Sequence, residues 1–600
     1  MRSFYCSFGL STLFCSLALT RAPHLFISRL FCFCCFFCVS ICQTLLSGSG
    51  LIFAQSIFVP LGDPAYHTID RIEIKEGHHS NYLHTAVKPF TAIDAVLHAE
   101  SANEDGEAQF AKTDRKFQYH LYRDHNEWSE EGLVERQGQK TKMGKHLYKY
   151  KTDFLRFQDY SDFLVRINPV LNFHLGKSNL SNDSIRFINT RGIEVRGMVS
   201  EKLGFYAYLG ENQVATPLYA NWRQVGNGAV PGEGRFKVFN SRVGAGLFAQ
   251  GADFFTARGY ITFQPIERIR VQMGHDKNFI GNGMRSLLLS DFSNNYYFLK
   301  FNTQVWKINY QNLFMELTGQ FNPIGGDSLL PKKYAAVHHL SINATKWLNI
   351  GLFESVVYGR KTGQFEWQYL NPLLFYRAAE YHLGSSDNVL LGLDAKALFA
   401  RRLSIYGQFV LDEFNFNEIK NRSGWWANKY GGQIGIKYVD VAGISNLDLQ
   451  VEWNTVRPYT YSHNTSEANY THYNQPLAHP LGANFREILG VLQYRTFKEL
   501  SLRLTVMYAQ KGMDSENAAT PENFGGNIFQ SNLTHVQDYG NTLLQGNKTT
   551  ITLANFSLSQ MWKHNLYFDL QYTFRRQNDA TMHYFGGGMR FNIARRDHVF

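Results

Sequence analysis

Residues Leu566–Phe574 read LYFDLQYTF. In an extended chain successive side chains point to opposite faces. Leu566, Phe568, Leu570, Tyr572 and Phe574 therefore share one face, and Asp569, Gln571 and Thr573 share the other. The same period of two recurs upstream. Leu502, Leu504, Val506 and Tyr508 alternate with Ser501, Arg503, Thr505 and Met507. Leu403, Ile405, Gly407, Phe409 and Leu411 oppose Ser404, Tyr406, Gln408 and Asp412, and Ile269, Val271 and Met273 oppose Arg268, Arg270 and Gln272. After Ser161 no 3.6-residue stripe dominates, and about eighteen such segments follow one another, the first near residue 162 and the last near residue 582.

The connections alternate in length. Short links are read at Ser200–Lys202, Gln264–Glu267, Asn302–Gln304, Thr345–Trp347, Ala400–Arg402, Asp440–Gly443, Thr496–Glu499 and Gln560–Asn565. Between them lie long ones: Glu211–Ala252, Gly274–Asn295, Gln320–Lys333, Lys361–Asp387, Asn415–Lys429, Arg457–Ala483 and Lys511–Lys548. Short turns on one side and long loops on the other, with apolar and polar faces alternating, indicate an all-β protein. The class is a transmembrane antiparallel β-barrel of about 18 strands in a bacterial outer membrane. Closure satisfies every strand edge, as lipid demands. A soluble β-propeller would show repeats of roughly 40–50 residues, and none is visible.

Composition agrees. The 600 residues include 33 Tyr, 48 Phe and 9 Trp, with 18% charged. A formal charge of +10 over such a length is mild and does not point to nucleic acid. All seven cysteines (Cys6, Cys15, Cys32, Cys34, Cys35, Cys38 and Cys42) lie in the first 42 residues. The body thus has no disulfide framework, no Cys-ligated zinc and no thiol nucleophile. Residues 1–54 contain no Asp or Glu, carry an apolar run Leu30–Ile41 behind Arg29, and end on small Ala54. This reads as a cleaved secretory signal with the mature chain starting near Gln55. A membrane anchor or a lipoprotein at Cys42 are the rival readings; Gln43, Thr44 and Ser47–Gly50 interrupt the span, and Ile41 fits a lipoprotein site poorly.

Residues 55–160 read differently, as a small periplasmic helical segment ahead of a barrel at 161–600. Asp63-Pro64 starts one helix, with Tyr66, Ile69 and Ile72 on one face. Thr91 starts another, and Phe117–Trp128 is a third with Asp114 as a cap. These helices are expected under the barrel mouth or across it.

Catalytic signatures are missing: there is no H-E-x-x-H, no G-x-S-x-G and no phosphate-binding glycine loop. No catalytic residue, cofactor or metal site is assigned. His338 and His339 are adjacent, so a strand would send one to the lumen and one to the membrane side. Three segments draw attention. Gly274–Asn295 carries Leu287-Leu288-Leu289, a run too apolar for an open loop, and is expected to fold into the lumen or onto other loops. In Trp367–Asp394, Tyr376, Arg377, Glu380 and Tyr381 fit one helical turn. Aromatic faces beside a guanidinium and a carboxylate suit sugars. Trp425-Trp426 follows Asn421-Arg422 in a third. For each residue the plain alternative is structural: internal ion pairs, or tryptophans of an interfacial belt.

The stretches YLNPLLFYRAAEY and GSSDNVLLGLD resemble a motif of Bacteroidetes outer-membrane proteins of the capsule-assembly, Wzi-like family, whose members include the gliding-motility protein RemB. GNGMRSLLLSD at Gly281–Asp291, VPLGDPAYHTIDRIEIKEG at Val59–Gly77 and HTAVKPF at His84–Phe90 resemble the same family. The resemblance implies an eighteen-stranded barrel with helices at its periplasmic end. It also implies a non-enzymatic, lectin-like role in attaching or organising surface polysaccharide, or in gliding. The candidate polysaccharide-binding residues are Arg285, Tyr376, Arg377, Glu380, Tyr381, Asp387, Asn388, Trp425 and Trp426. Outer-membrane lipid and the barrel-assembly machinery are the other expected partners. A passive porin is the main rival, since so wide a barrel can hold an aqueous pore, and a barrel enzyme is the third. Arg596 and His598 share the phase of terminal Phe600, so the last strand is expected to end near Ile593 with a short tail.

Overall fold

The computed structural model describes residues 56–600 apart from 105–108, 130–151, 160–162, 181–183, 201, 241–246, 323–328, 361 and 516–521. The signal reading for residues 1–54 lies outside the described residues. Eighteen strands close one antiparallel barrel, each paired with its neighbour in sequence. The first six are β1 (Phe163–Ser178), β2 (Arg186–Val199), β3 (Leu203–Val214), β4 (Gly251–Ile266), β5 (Ile269–Asp276) and β6 (Tyr296–Val305). Then come β7 (Ile308–Thr318), β8 (Lys332–Asn343), β9 (Leu348–Tyr358), β10 (Asn388–Phe399), β11 (Leu403–Glu413) and β12 (Lys429–Tyr438). The last six are β13 (Leu447–Val456), β14 (Phe485–Arg495), β15 (Leu500–Met513), β16 (Asn547–Lys563), β17 (Leu566–Gln577) and β18 (Ala580–Phe591). β18 closes on β1, from Phe591 opposite Leu171 to Tyr584 opposite Ser178.

Alternation sorts the wall as the sequence indicates. On β17, Phe568, Leu570 and Tyr572 are exposed on the outside, whereas Asp569 and Thr573 are buried inside. Asp569 accepts from Arg590 Nε of β18 at 2.7 Å. His339 points into the lumen and bonds Asp394 of β10 at 2.7 Å, and His338 points outward. Exposed Trp306, Trp347 and Trp562 sit at the short turns, forming the aromatic girdle of the periplasmic interface. Several turns differ from the sequence reading: Gln264–Glu267 narrows to Glu267–Arg268, Gln560–Asn565 narrows to His564–Asn565, and Asp440–Gly443 widens to Val439–Asn446. The link placed at Asn302–Gln304 is Trp306–Lys307. The polar Asn-Thr-Gln triplet continues β6, because Asn302 Nδ2 finds Asn309 Oδ1 of β7 at 2.9 Å, and the chain reverses at Trp306, where φ is 54°.

Among the described residues three helices precede the barrel: α1 (Ala65–Glu76), α2 (Ala92–Glu104) and α3 (Lys112–Asp124). Asp63 Oδ1 accepts from Ala65 N at 2.8 Å and Thr91 Oγ1 from Asp94 N at 3.2 Å, so both capping residues work as such. α3 begins five residues before the expected Phe117, and Asp114 lies in its first turn, accepting from Ala111 N at 2.9 Å. Ile69, Ile72, Val96 and Leu121 form the small core between the helices.

These helices dock on lumen-facing residues of the short-turn end through ion pairs. Arg71 meets Asp114 at 2.7 Å, Asp440 at 2.9 Å, and Asp448 of β13. Asp70 meets Lys437 of β12 at 2.6 Å, and Glu73 meets Lys396 of β10. Asp94 pairs with Arg270 of β5 at 3.0 Å. Burial alone would raise the Asp70 and Asp114 pKa values, but the facing lysines and Arg71 outweigh it and hold both carboxyls below their usual range. Burial pulls His67 down to about 4, so it is neutral at pH 7.

The bore is filled from the other end too. The Lys277–Asn295 loop turns inward, and Leu287, Leu288 and Leu289 are fully buried against wall residues such as Leu313, Phe353 and Leu390. The Arg457–Asn484 loop joins them, with Tyr461 Oη donating to the Leu287 carbonyl and Tyr470 Oη to that of Leu288, both at 2.7 Å. The tail after Phe591 does not extend the last strand. It turns into the lumen, where Phe600 packs edge-on against Phe292 and against Tyr219 of helix α4 (Leu218–Asn227), each 5.7 Å away. Between plug, loops and tail a charged cavity of about 440 Å³ persists, lined by Glu194, Arg196, Arg258, Lys277 and Arg590 among others.

Candidate functional site

The sequence candidates fall into three separate places. Arg285 is in the bore. Its guanidinium meets Glu487 of β14 at 3.0 Å and donates to the Val599 carbonyl at 2.7 Å. Its backbone N–H reaches Glu452 at 3.2 Å, and Glu487 also bonds His479 at 2.8 Å. The residue thus ties the inward loop, the Arg457–Asn484 loop and the tail to the wall.

The second group lies on the outside. Tyr376–Leu383 is a helix, α5, as its spacing indicated. It belongs to a strap, residues 359–387, folded over the outer face of β6–β10. Tyr376 is buried, stacked on outward-facing His338 at 4.1 Å. Arg377 pairs with Glu380 at 2.8 Å, and Tyr381 points outward. Asp387 receives both Arg360 Nη1 at 2.7 Å and Nη2 at 2.8 Å, plus Tyr369 Oη at 2.7 Å, stapling the ends of the strap together. Asn388 points inward and donates to the Ala468 carbonyl at 2.9 Å.

Trp425 and Trp426 lie in the extracellular cap, after a short helix α6 (Phe416–Lys420). The Ser423–Trp426 backbone pairs with the 538–541 segment: Trp426 N donates to the Asp538 carbonyl at 2.9 Å and Gly540 N to that of Ser423 at 2.8 Å. Gly424 is required here. Its φ is +69°, and a Cβ would stand 2.9 Å from Gly540 Cα. The pairing stacks Trp426 on His535, with centroids 4.3 Å apart and planes at 16°. Tyr459 stands edge-on to Trp426 at 6.1 Å, and Trp425 lies 6.3 Å from it. Asp538 accepts from His535 Nε2 at 2.7 Å, and Tyr539 beside it is exposed. The result is a ledge of aromatic faces with a carboxylate at its edge, suited to stacking on sugar C–H faces while hydrogen-bonding hydroxyls.

Tyr459, His535, Asp538 and Tyr539 escaped the sequence reading. The long Arg457–Ala483 and Lys511–Lys548 links were visible, but which of their residues meet Trp426 depends on backbone pairing between distant loops. Among the described residues no group of three or more His, Cys, Asp or Glu could hold a metal ion.

Residues 177–581 match the family model of capsule assembly protein Wzi. The chain belongs to the Wzi capsule assembly family. Among solved structures it is similar to Wzi of Escherichia coli, described as an outer-membrane protein involved in group 1 capsule assembly and a carbohydrate-binding β-barrel. The TM-score is 0.52 at 12% identity, covering 90% of this chain and 100% of that one. At that identity the likeness establishes the shared fold. OprD of Pseudomonas aeruginosa, at a TM-score of 0.40 and 9% identity, covers 71% of this chain and 94% of its own, too distant to carry an argument. No curated protein matches the chain. A Wzi-family barrel is an outer-membrane protein.

Proposed function

We propose that this Wzi-family barrel is non-catalytic and binds or organises a surface polysaccharide at its extracellular cap. The observation that carries the reading is the aromatic ledge of Trp425, Trp426, His535 and Tyr539 above a filled bore. With loops and helices occupying the lumen, the face left for a polymer is the outer one. The E. coli Wzi barrel, which is carbohydrate binding, supports the same direction. Arg285 and the Tyr376–Asn388 segment act in this reading as supports of the cap and wall. The gliding role implied by the motifs would operate through the same polymer. A passive porin needs an open bore, and the inward Leu287–Leu289 run opposes it.

The test is genetic. A deletion strain should lose cell-attached polymer and release it to the medium, and the intact gene should restore attachment. A strain carrying Trp425→Ala with Trp426→Ala, with the barrel at normal abundance, should behave like the deletion. Normal attached polymer in both strains would overturn the reading.

A further inference from the structure

Outward positions of an outer-membrane barrel wall normally meet lipid and are apolar. Four positions on one side of this barrel break that rule: Tyr310 and Asn312 on β7, His338 on β8 and Glu354 on β9. Their neighbours on the lumen side, such as Gln311, His339 and Ser355, have their own inward positions, so the four are on the membrane side by parity. All four lie beneath the strap of residues 359–387.

Three of them satisfy the strap's backbone. Tyr310 Oη and Asn312 Nδ2, the latter at 3.5 Å, donate to the carbonyl of Pro372. Glu354 Oε1 accepts the N–H of Arg377, in the first turn of α5, at 3.4 Å. The strap also satisfies itself locally. Leu373 N donates to Asn371 Oδ1 at 3.0 Å, and Ala378 N to the Phe375 carbonyl at 3.0 Å. Polar backbone closed off in this way is what a segment needs where no water is at hand. Tyr310 is the third residue of β7 counted from the periplasmic turn, so the strap reaches well down the wall and does not rest at its rim.

The strap's outer side presents large apolar and aromatic side chains, with Gln368, Asn371, Arg377 and His382 exposed between them. Trp367 is 79% exposed, Leu373 85%, Phe375 73% and Tyr381 84%. Beside it the lipid-facing belt of the barrel continues in exposed Leu352, Leu391 and Leu393. We propose that residues 359–387 form an in-membrane strap whose Trp367, Leu373, Phe375 and Tyr381 dock on the acyl chains of outer-leaflet lipid. The segment leaves the extracellular end of β9, descends the outer wall and returns to β10, giving the barrel a lateral lipid-binding face. The polar wall residues are present to receive its backbone.

The full chain, reconstituted in vesicles of phosphatidylethanolamine and phosphatidylglycerol, provides the test. A benzophenone amino acid is placed at Phe375 or Leu373, with Leu352 as the lipid-facing reference and Tyr539 as the extracellular one. Photolysis should give phospholipid adducts at 373 and 375 to the same extent as at 352, and none at 539. Loss of lipid adducts at 373 and 375, with 352 still labelled, would overturn the proposal. So would cross-links at 375 to a second copy of the chain, which would make the face a protein interface. Heat-modifiable gel mobility establishes that each variant is a folded barrel. A Leu352 variant that labels normally keeps a negative result at 375 meaningful.

Discussion

Arg71→Met tests whether ion pairs hold the periplasmic plug in the barrel. Arg71 is buried and touches Asp114 at 2.7 Å, Asp440 at 2.9 Å, and Asp448. Lys75 contacts two of the three, Asp114 at 2.7 Å and Asp440 at 3.0 Å, so these keep a cation when Arg71 is removed. Asp448 is left with His67 at 3.0 Å, which is neutral at pH 7 because burial lowers its pKa to about 4. The variant therefore deprives one buried carboxylate of its guanidinium, leaving it His67 and the Asp440 N–H at 3.1 Å, and breaking a buried pair in this way costs about 3–5 kcal/mol. That weakens plug docking by a factor of about 10² to 4 × 10³. The eighteen strands do not depend on Arg71, so the barrel should persist while the plug undocks. In planar bilayers the wild type should be nearly silent and Arg71→Met should show frequent openings, with α1 cleaved by protease added on the periplasmic side. A variant as silent and protease-resistant as the wild type, at unchanged heat-modifiable mobility, would refute the idea that these pairs hold the plug.

Acid should act through the same contacts. The folded-state pKa values of Asp70, Glu73 and Asp114 are depressed by their lysine and arginine partners against the opposing effect of burial. Their stabilisation is thus complete above the unfolded carboxylate range, near pH 4, and is lost as the pH falls through the lower folded values. Bilayer conductance should stay low at pH 7 and pH 5 and rise below about pH 3. Leu288→Ala empties a fully buried position in the inward loop and should cost about 2–5 kcal/mol of loop packing, read as faster hydrogen exchange in 277–295 with the strands unaffected. Gly424→Val introduces a side chain at φ +69° against Gly540, and should part the 423–426 and 538–541 segments, quenching or shifting Trp426 fluorescence without loss of the barrel.

The barrel was legible because its signal is local. A wall strand alternates every residue, and LYFDLQYTF announces its two faces without reference to any partner. That Gly274–Asn295 leaves the solvent, for the lumen or for other loops, was legible for a related reason: three consecutive leucines are costly in a solvated loop. The strap was not. Tyr376–Leu383 reads as a helix, but nothing within the helix tells which side of the barrel it covers. The sign lay elsewhere, in the outward positions Tyr310, Asn312, His338 and Glu354, where polar residues interrupt an apolar face. Adjacency of His338 and His339 indicated that one of the two faces outward, but neither which one nor the cover supplied by Tyr376. Trp425-Trp426 marked the cap, yet its partners His535 and Tyr459 come from loops distant in sequence, and the pairing of 423–426 with 538–541 that brings His535 to Trp426 carries no local signal. The tail was half legible: cations in phase with Phe600 excluded a lipid-facing strand end, but not where Phe600 goes.

The central claim is that the extracellular cap holds surface polysaccharide. The most direct measurement is binding of polymer, purified from the producing strain, to the intact barrel in detergent, comparing wild type with Trp425→Ala/Trp426→Ala. Loss of one stacking aromatic typically costs about 0.5–1.5 kcal/mol beyond buried area, so the double variant should bind about 5- to 150-fold more weakly. Saturable binding by the wild type, lost or weakened in that way, is the result expected. Equal binding by both proteins, or none by the wild type, would contradict the account.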